Sequence, residues 1–118
     1  MTKTLFVSAE ERVNEWTQNL SICLEENYKK CYPNASKEKI FRFQAGRKYY
    51  KMTMYDELDG VRTTQGVHCF IDKKTGDVYK PASYRSPAPI ARYNLLDEES
   101  RELCYNNADW AGGYLYLR

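Results

Sequence analysis

The segment GVHCFIDKKTGDVYKPASYRSPAPIARYN, residues 66–94, decides the fold because it contains a predicted β-hairpin followed by a proline-rich loop. Val67–Ile71 is apolar and rich in the β-branched and aromatic residues that favour strands. Asp72–Gly76 has the composition of a turn, in which Asp accepts backbone N–H groups and Gly takes the left-handed conformation of a bulged hairpin loop. Asp77–Lys80 is the predicted return strand.

The prolines after this hairpin predict an ordered surface loop. Pro81 has no backbone N–H to donate, so regular strand pairing should stop near it. Pro87 and Pro89 hold the residues before them in extended conformations. We therefore expect Ser83–Pro89 to be a semi-rigid loop on the surface rather than a helix.

The same segment resembles a group of small tailed-phage proteins. Those proteins carry a strand–Thr-Gly-Asp–strand hairpin, then K-x-A-S-aromatic-basic-x-P and an A-R-x-N ending. The corresponding residues here are Thr75, Gly76, Asp77, Lys80, Ala82, Ser83, Pro87, Ala91, Arg92 and Asn94. This chain departs from the pattern at Tyr84, where Trp is commoner, and in its extra Pro81 and Pro89. The group has no settled activity, so the resemblance implies origin and architecture more than chemistry.

Length and composition predict a single domain over residues 1–118. The chain is 42% hydrophobic and 14% aromatic, which predicts a modest core rich in aromatic side chains. It has no apolar run of about 18 residues, so we expect no membrane span. The segment before Ser8 is too short for a signal peptide, and we expect a location in the host bacterial cytoplasm.

The cysteines are expected to be free thiols, because thiols stay reduced in the cytosol. They are Cys23, Cys31, Cys69 and Cys104. No C-x-x-C motif is present, so buried apolar thiols are favoured over a zinc site that includes His68. We expect neither a metal nor another cofactor.

A capping box formed by Ser8 and Glu11 begins a long amphipathic helix, predicted over Ala9–Tyr32. Its apolar residues recur at helical spacing, and the stripe expected to face a sheet includes Trp16 and Leu20.

Two strands are predicted next, Ile40–Ala45 and Arg47–Tyr55, in which alternate residues face the core. The predicted core-facing residues are Phe41, Phe43, Tyr50, Met52 and Met54. The segment Asp56–Thr64 is expected to be a polar loop around Gly60.

The acidic C-terminal part predicts a short helix, Asp97–Cys104, with Asp97 as its cap, and a last strand, Tyr114–Leu117. The predicted fold class is therefore α+β, with a four- to five-stranded, mainly antiparallel sheet packed against one long N-terminal amphipathic helix. A short C-terminal helix completes it. Exposed strand edges and the tyrosine-rich end favour a homo-oligomer.

The sequence contains no recognisable catalytic or metal-binding signature. Its one histidine, His68, adjoins Cys69. Adjacent residues on a strand point to opposite faces, so these two are not expected to form a nucleophile–base pair. We therefore expect a protein that is not an enzyme.

Basic residues are concentrated in two stretches, although the net charge is only +2. Residues 37–51 and 72–92 are both rich in Lys and Arg, and both contain tyrosines. Because phosphates take Arg and Lys donors and bases stack on aromatic rings, this pattern favours an anionic partner. The candidate ligand-binding residues are Lys80, Ser83, Tyr84, Arg85, Arg92, Tyr93, Arg42 and Lys51. The alternative interpretation is a solvated sheet face with tyrosines packed along its margin.

Three hypotheses for function follow from these patterns. The first is a non-enzymatic phage accessory protein of host takeover or counter-defence, which binds and sequesters a nucleotide-type anionic ligand. The second is binding to single-stranded or duplex nucleic acid. The third is inhibition of a host enzyme by protein–protein contact.

Overall fold

The chain folds into one antiparallel sheet with two helices. A computed structural model describes residues 8–116. Its elements are α1 (Ala9–Cys31), β1 (Glu38–Ala45), β2 (Tyr49–Leu58), β3 (Val61–Asp72), β4 (Asp77–Tyr79), β5 (Tyr93–Asn94), α2 (Glu98–Asn107) and a 3-10 turn (Gly113–Leu115). The five strands lie in chain order, β1-β2-β3-β4-β5, and all neighbours are antiparallel. The predicted α+β class is confirmed.

The predicted capping box begins α1. The Glu11 N–H donates to the Ser8 hydroxyl, and the Ser8 N–H donates back to the Glu11 carboxylate, both at 3.1 Å. Leu20 is fully buried, as predicted. Trp16 is only half-buried, and it lies beside α2: the Arg101 guanidinium is 3.8 Å from the indole centroid, and Tyr105 donates to the Trp16 carbonyl.

The core lies between the sheet and the helices. Phe41 and Met52 are fully buried, and Tyr50 is buried with its hydroxyl accepting a hydrogen bond from Asn14 of α1. The predicted facing of these strands is therefore confirmed, although Phe43 and Met54 are only partly buried. The alternate residues of β2, including Lys51, point to the opposite face of the sheet.

The predicted polar loop over residues 56–64 is wrong, because this segment is a β-hairpin. β2 continues to Leu58, and β3 starts at Val61. Asp59 and Gly60 join them with φ angles of +53° and +79°, the positive values of a two-residue type I′ turn. The Asp-Gly signal therefore outweighed the polar composition of the flanking residues.

The predicted last strand is also wrong. Gly113–Leu115 forms a 3-10 turn that buries Tyr114 and Leu115, and Leu117 lies outside the described residues. The fifth strand is instead Tyr93–Asn94, which pairs with β4. The Asn94 side chain amide fixes it by donating to the Thr75 carbonyl and to the Asp77 carboxylate, both at 2.8 Å.

The predictions for the cap of α2 and for the cysteines are confirmed in part. Asp97 caps α2 by accepting the Ser100 N–H, as predicted. The cysteines are free thiols, but only Cys69 and Cys104 are buried as predicted, whereas Cys23 is partly buried and Cys31 is exposed. Within residues 8–116, no helix is long and apolar enough to cross a membrane.

The predicted turn between β3 and β4 is confirmed. The Asp72 carboxylate accepts the N–H groups of Lys74 and Thr75 at 2.8 and 2.9 Å. Gly76 has a φ of +80° and is buried beneath Leu96. A Cβ at this position would lie 3.1 Å from the Leu96 nitrogen, so glycine is required both for its conformation and for the close approach.

Gly76→Ala is expected to destabilise the protein more than Gly60→Ala. Both positions have almost the same positive φ, which costs a side chain about 1–2 kcal/mol. A Cβ at Gly60 would meet no atom within 4 Å, whereas one at Gly76 would press on Leu95 and Leu96. Urea unfolding of both variants measures the difference, and equal losses of stability would contradict the packing of the turn against Leu96.

Candidate functional site

The sheet face away from α1 carries a cluster of aromatic rings. The ring centroid of Tyr49 in β2 lies 5.9 Å from that of Phe70 and 6.0 Å from that of Tyr79. The plane of the Tyr49 ring is nearly perpendicular to the planes of both neighbours. The pairing of Lys51 with Phe70, and of Phe70 with Tyr79, places all four side chains on this face. The Lys48 ammonium lies 5.4 Å from the Tyr49 centroid, at the end of the cluster.

The loop after β4 is held by its own hydrogen bonds. Pro81 and Pro87 form an isolated antiparallel bridge, and the Ala88 N–H donates to the Lys80 carbonyl at 2.7 Å. The Ser83 hydroxyl accepts the N–H groups of Arg85 and Ser86, both at 3.2 Å. Ser83 therefore stabilises the turn at the tip of the loop, and its hydroxyl is not free for a ligand.

Tyr84 stands at the tip of this loop and is 61% exposed. The Lys51 ammonium lies 3.8 Å from the centroid of its ring, a cation–π contact. The lysine covers part of one ring face and leaves the rest of the ring accessible to solvent. We call the surface formed by Tyr49, Lys51, Tyr79, Tyr84 and Arg85 the tyrosine–lysine face.

Two basic turns adjoin this face at one end of the sheet. The Lys73 N–H donates to the Lys48 carbonyl, and the Lys73 ammonium donates to the Gly46 carbonyl, both at 3.0 Å. The turns thereby bring four basic side chains around a cleft of about 390 Å³, which also contains Glu10, Asp72 and Thr75. These four, which we call the basic end, are Arg47, Lys48, Lys73 and Lys74.

Within residues 8–116, none of the basic side chains of these two surfaces forms a salt bridge. Among residues 8–116, the salt bridges involve Lys37 and Lys39 with Asp56, Arg42 with Glu25, and Arg62 with Glu57. The sequence prediction included Lys51 and Arg85 but missed Lys73 and Lys74. The signal that could have found them is the hairpin register, since the pairing of Tyr49 with Asp72 brings the two turns together.

Arg92 and Tyr93, predicted ligand-binding residues, are engaged inside the protein. Arg92 donates from Nε to the Leu115 carbonyl at 2.7 Å, and from Nη1 to the carbonyls of Pro89 and Ile90. The Tyr93 hydroxyl donates to the Tyr114 carbonyl at 3.0 Å. Both side chains therefore hold the 3-10 turn against the sheet.

Two other predicted residues also lie away from the tyrosine–lysine face. The Lys80 ammonium is 4.9 Å from the Tyr116 ring centroid, next to the C-terminal segment. Arg42 donates to the Glu25 carboxylate of α1 at 2.8 Å. The eight predicted residues are thus divided, and only Lys51, Ser83, Tyr84 and Arg85 come together.

His68 and Cys69 do not alternate between the two faces as predicted. A register shift opposite Met52 and Thr53 makes His68 an extra residue of β3, so both side chains are buried. The His68 Nε2 lies 2.9 Å from the Tyr114 hydroxyl, and its ring stacks on the Tyr114 ring.

Burial governs the ionisation of this pair. Desolvation lowers the pKa of His68 to about 4, although the Asp109 carboxylate opposes the shift. Desolvation also raises the pKa of Cys69 well above its ordinary value. At neutral pH the imidazole is neutral and the thiol is protonated, the opposite of an activated Cys–His pair. Within the described part of the chain, no group of three or more His, Cys, Asp or Glu residues could hold a metal ion.

Comparisons with known proteins give a family but no activity. The family described as "Family of unknown function (DUF7717)" matches residues 1–117. Over 58 residues the chain is 34% identical to a benzoate–CoA ligase of Thauera aromatica, a match that covers 49% of this chain and 11% of the ligase. The chain thus spans a small part of that enzyme's length. No solved structure matches the chain.

Arg92→Ala is expected to destabilise the fold, whereas Arg85→Ala is not. Arg92 donates three hydrogen bonds to backbone carbonyls, and losing charged donors of this kind costs about 2–3 kcal/mol. Arg85 is exposed and its side chain has no hydrogen-bond partner within residues 8–116, so it is the matched control. Denaturant unfolding measures both, and an unchanged stability of Arg92→Ala would refute the structural role.

Mild acid is expected to destabilise the protein through His68. Because burial lowers its pKa from 6.5 to about 4, the unfolded chain binds a proton that the folded protein does not bind between these pH values. Stability is therefore complete above pH 6.5 and falls as the pH is lowered, by about 2 kcal/mol at pH 5. Urea unfolding between pH 7 and pH 5 measures the loss, and His68→Gln should flatten it. If the free energy of unfolding of His68→Gln still falls between pH 7 and pH 5, groups other than His68 cause the loss.

Proposed function

This chain belongs to the family of unknown function that matches residues 1–117, and we propose that it binds a nucleotide-type anionic ligand. The proposed binding surface is the tyrosine–lysine face together with the basic end, and the form of ligand that fits it best is single-stranded nucleic acid. The observation that carries the proposal is Tyr84, an exposed ring presented by an ordered loop and flanked by Lys51 and Arg85.

Stacking and charge act together in this proposal. Bases stack on exposed aromatic rings with little dependence on sequence, and each stacked base contributes about 1–3 kcal/mol. Phosphates accept hydrogen bonds from Lys and Arg, and these residues are available here because they have no carboxylate partner in the described structure. The internal hydrogen bonds of the loop reduce the entropy lost when Tyr84 receives a base.

The open shape of the surface favours a strand over a free mononucleotide. Small ligands are usually held in concave pockets that bury most of their surface. Tyr84 instead projects from the protein, and the basic side chains extend from Arg85 to the turn at Lys48. Lys48 and Lys51 are three residues apart, about 10 Å of extended chain, which is more than one phosphate group spans.

In this proposal the protein binds the ligand without chemically converting it, and this part of the proposal concerns His68. It is supported by the state of His68, which is buried, neutral at physiological pH and hydrogen-bonded to Tyr114. With the resemblance of residues 66–94 to tailed-phage proteins, ligand binding of this kind would serve host takeover or counter-defence. The match to a benzoate–CoA ligase covers too little of that enzyme to suggest a ligase activity.

Tyr84→Ala is expected to weaken binding to a fluorescent oligodeoxythymidine of about 12 nucleotides by roughly 5- to 150-fold, the equivalent of one lost stack. Fluorescence anisotropy measures the affinity. Tyr116→Ala is the matched control, because Tyr116 is 60% exposed and also lies under a lysine, but away from the face. Equal effects of both variants would contradict the assignment of Tyr84.

The salt dependence of the same titration separates the two ligand forms. Nucleic acid binding should weaken steeply with salt because bound counterions are released, and substitutions of Lys48, Lys73 and Lys74 should reduce the slope. Binding of deoxythymidine monophosphate as tight as that of the oligonucleotide, with a shallow slope, would favour the small ligand. Absence of binding to either probe would refute the proposed function.

A further inference from the structure

Within residues 8–116, no strand pairs with the outer edge of the N-terminal half of β3. β2 pairs with it on one side, but β4 pairs only with Phe70 and Ile71 on the other. Residues 61–65 are all exposed, and Val61 has 65% of its surface in solvent. No turn or loop backbone within residues 8–116 donates to this stretch or accepts from it.

The geometry of the hairpin decides which backbone groups face outward. In a two-residue hairpin the residues that flank the turn, here Leu58 and Val61, form a hydrogen-bonded pair. Alternation along the strand then directs the N–H and C=O groups of Arg62 and Thr64 away from β2. An unpaired edge of this kind is a template for another strand.

From this edge we infer that a second copy of the chain pairs with β3, antiparallel and edge to edge, about a two-fold axis at Thr63. Arg62 of each copy then lies opposite Thr64 of the other, and the two residues exchange backbone hydrogen bonds on both sides of the axis. Thr63 faces its own counterpart in the closer, non-hydrogen-bonded position. Threonine pairs are favourable in that position.

In this register, the side chains along the β3 edge of one copy are compatible with the same side chains of the other copy. The Arg62 guanidinium already pairs with Glu57 at 3.0 Å, so each copy brings a compensated charge to the interface. A register centred on Arg62 would oppose two arginines, which disfavours it. The edge is thus complementary to an antiparallel copy of itself, and for this reason we assign a second copy as its occupant.

Each copy also carries an exposed apolar patch beside the paired edge. Leu58 and Val61 lie opposite each other on one face of the hairpin and line a shallow cleft of about 370 Å³ with Lys37, Asp59 and Gln65. The two-fold axis is perpendicular to the sheet, so the patches of both copies lie on the same side. The resulting ten strands form one continuous sheet.

Sedimentation velocity of the full chain, from about 1 µM to about 1 mM, tests the association. We expect a reversible monomer–dimer equilibrium. Thr64→Lys, which opposes Arg62 of the other copy at two symmetric positions, should raise the dimer dissociation constant by about 2- to 30-fold. Thr64→Glu, which opposes the same arginine with a negative charge, should leave it unchanged or lower it. A monomer at all concentrations, or equal effects of both charges, would overturn the proposal.

A cross-linking experiment tests the register directly. In a Cys31→Ser background, Thr63→Cys should form an intermolecular disulfide on mild oxidation, because residues in a non-hydrogen-bonded pair have Cα atoms about 4.5 Å apart. Val61→Cys is the matched control. Residue 61 is also exposed, but in this register it lies opposite Gln65 of the other copy, four residues away from that copy's own residue 61. Efficient cross-linking of Val61→Cys, or none of Thr63→Cys, would exclude the Thr63 register.

Discussion

The docking of Tyr114 and Leu115 against the sheet is the contact on which the rest of this structure depends. Tyr114 meets His68 through a hydrogen bond and a stacked ring, while Tyr93 and Arg92 hold the backbone carbonyls of the same turn. The turn thereby closes the core over the bulge of β3. Because a buried imidazole and a buried phenol satisfy each other, this polar contact is compatible with an otherwise apolar layer.

The same docking separates residues that a sequence cannot distinguish. Arg85 and Arg92 lie in one basic stretch, yet Arg92 has three carbonyl acceptors and Arg85 remains exposed. One guanidinium is therefore structural, and the other is available to a ligand. Charge pattern predicts where a positive surface lies, but the partners of each side chain decide which residues contribute to it.

The features that the sequence predicted well have short-range causes. The capping box at Ser8 and the turn at Asp72–Gly76 are fixed by groups within a few residues of each other. The wrongly predicted last strand depended on a tertiary competition, in which Tyr93–Asn94 occupies the edge of β4. A two-residue strand is too short to produce a periodic pattern, so sequence alone could not have assigned it.

The candidate surface was predictable to a similar extent. Alternation along β2 placed Lys51 outside the core, and the prolines predicted an ordered loop that carries Tyr84. The contact between Lys51 and Tyr84 requires the loop to fold back over the sheet, and the periodicity of the sequence does not predict this. The bulge at His68 likewise made one prediction wrong. Simple alternation placed His68 and Cys69 on opposite faces, but one inserted residue changes which side chains share a face.

The order of strands has a consequence for the kinetics of folding. Every strand pairs with its neighbour in sequence, and the longest connection in the sheet is the loop over residues 80–92. By contrast, α1 meets the C-terminal segment across most of the chain, through contacts such as Tyr105 with Trp16 and Trp110 with Asn27. Loop-closure entropy is thus concentrated in these distant contacts. Interactions that form after the rate-limiting barrier influence the rate of unfolding rather than folding. We therefore expect these distant contacts to form late in folding and to influence the lifetime of the native state more than its rate of formation.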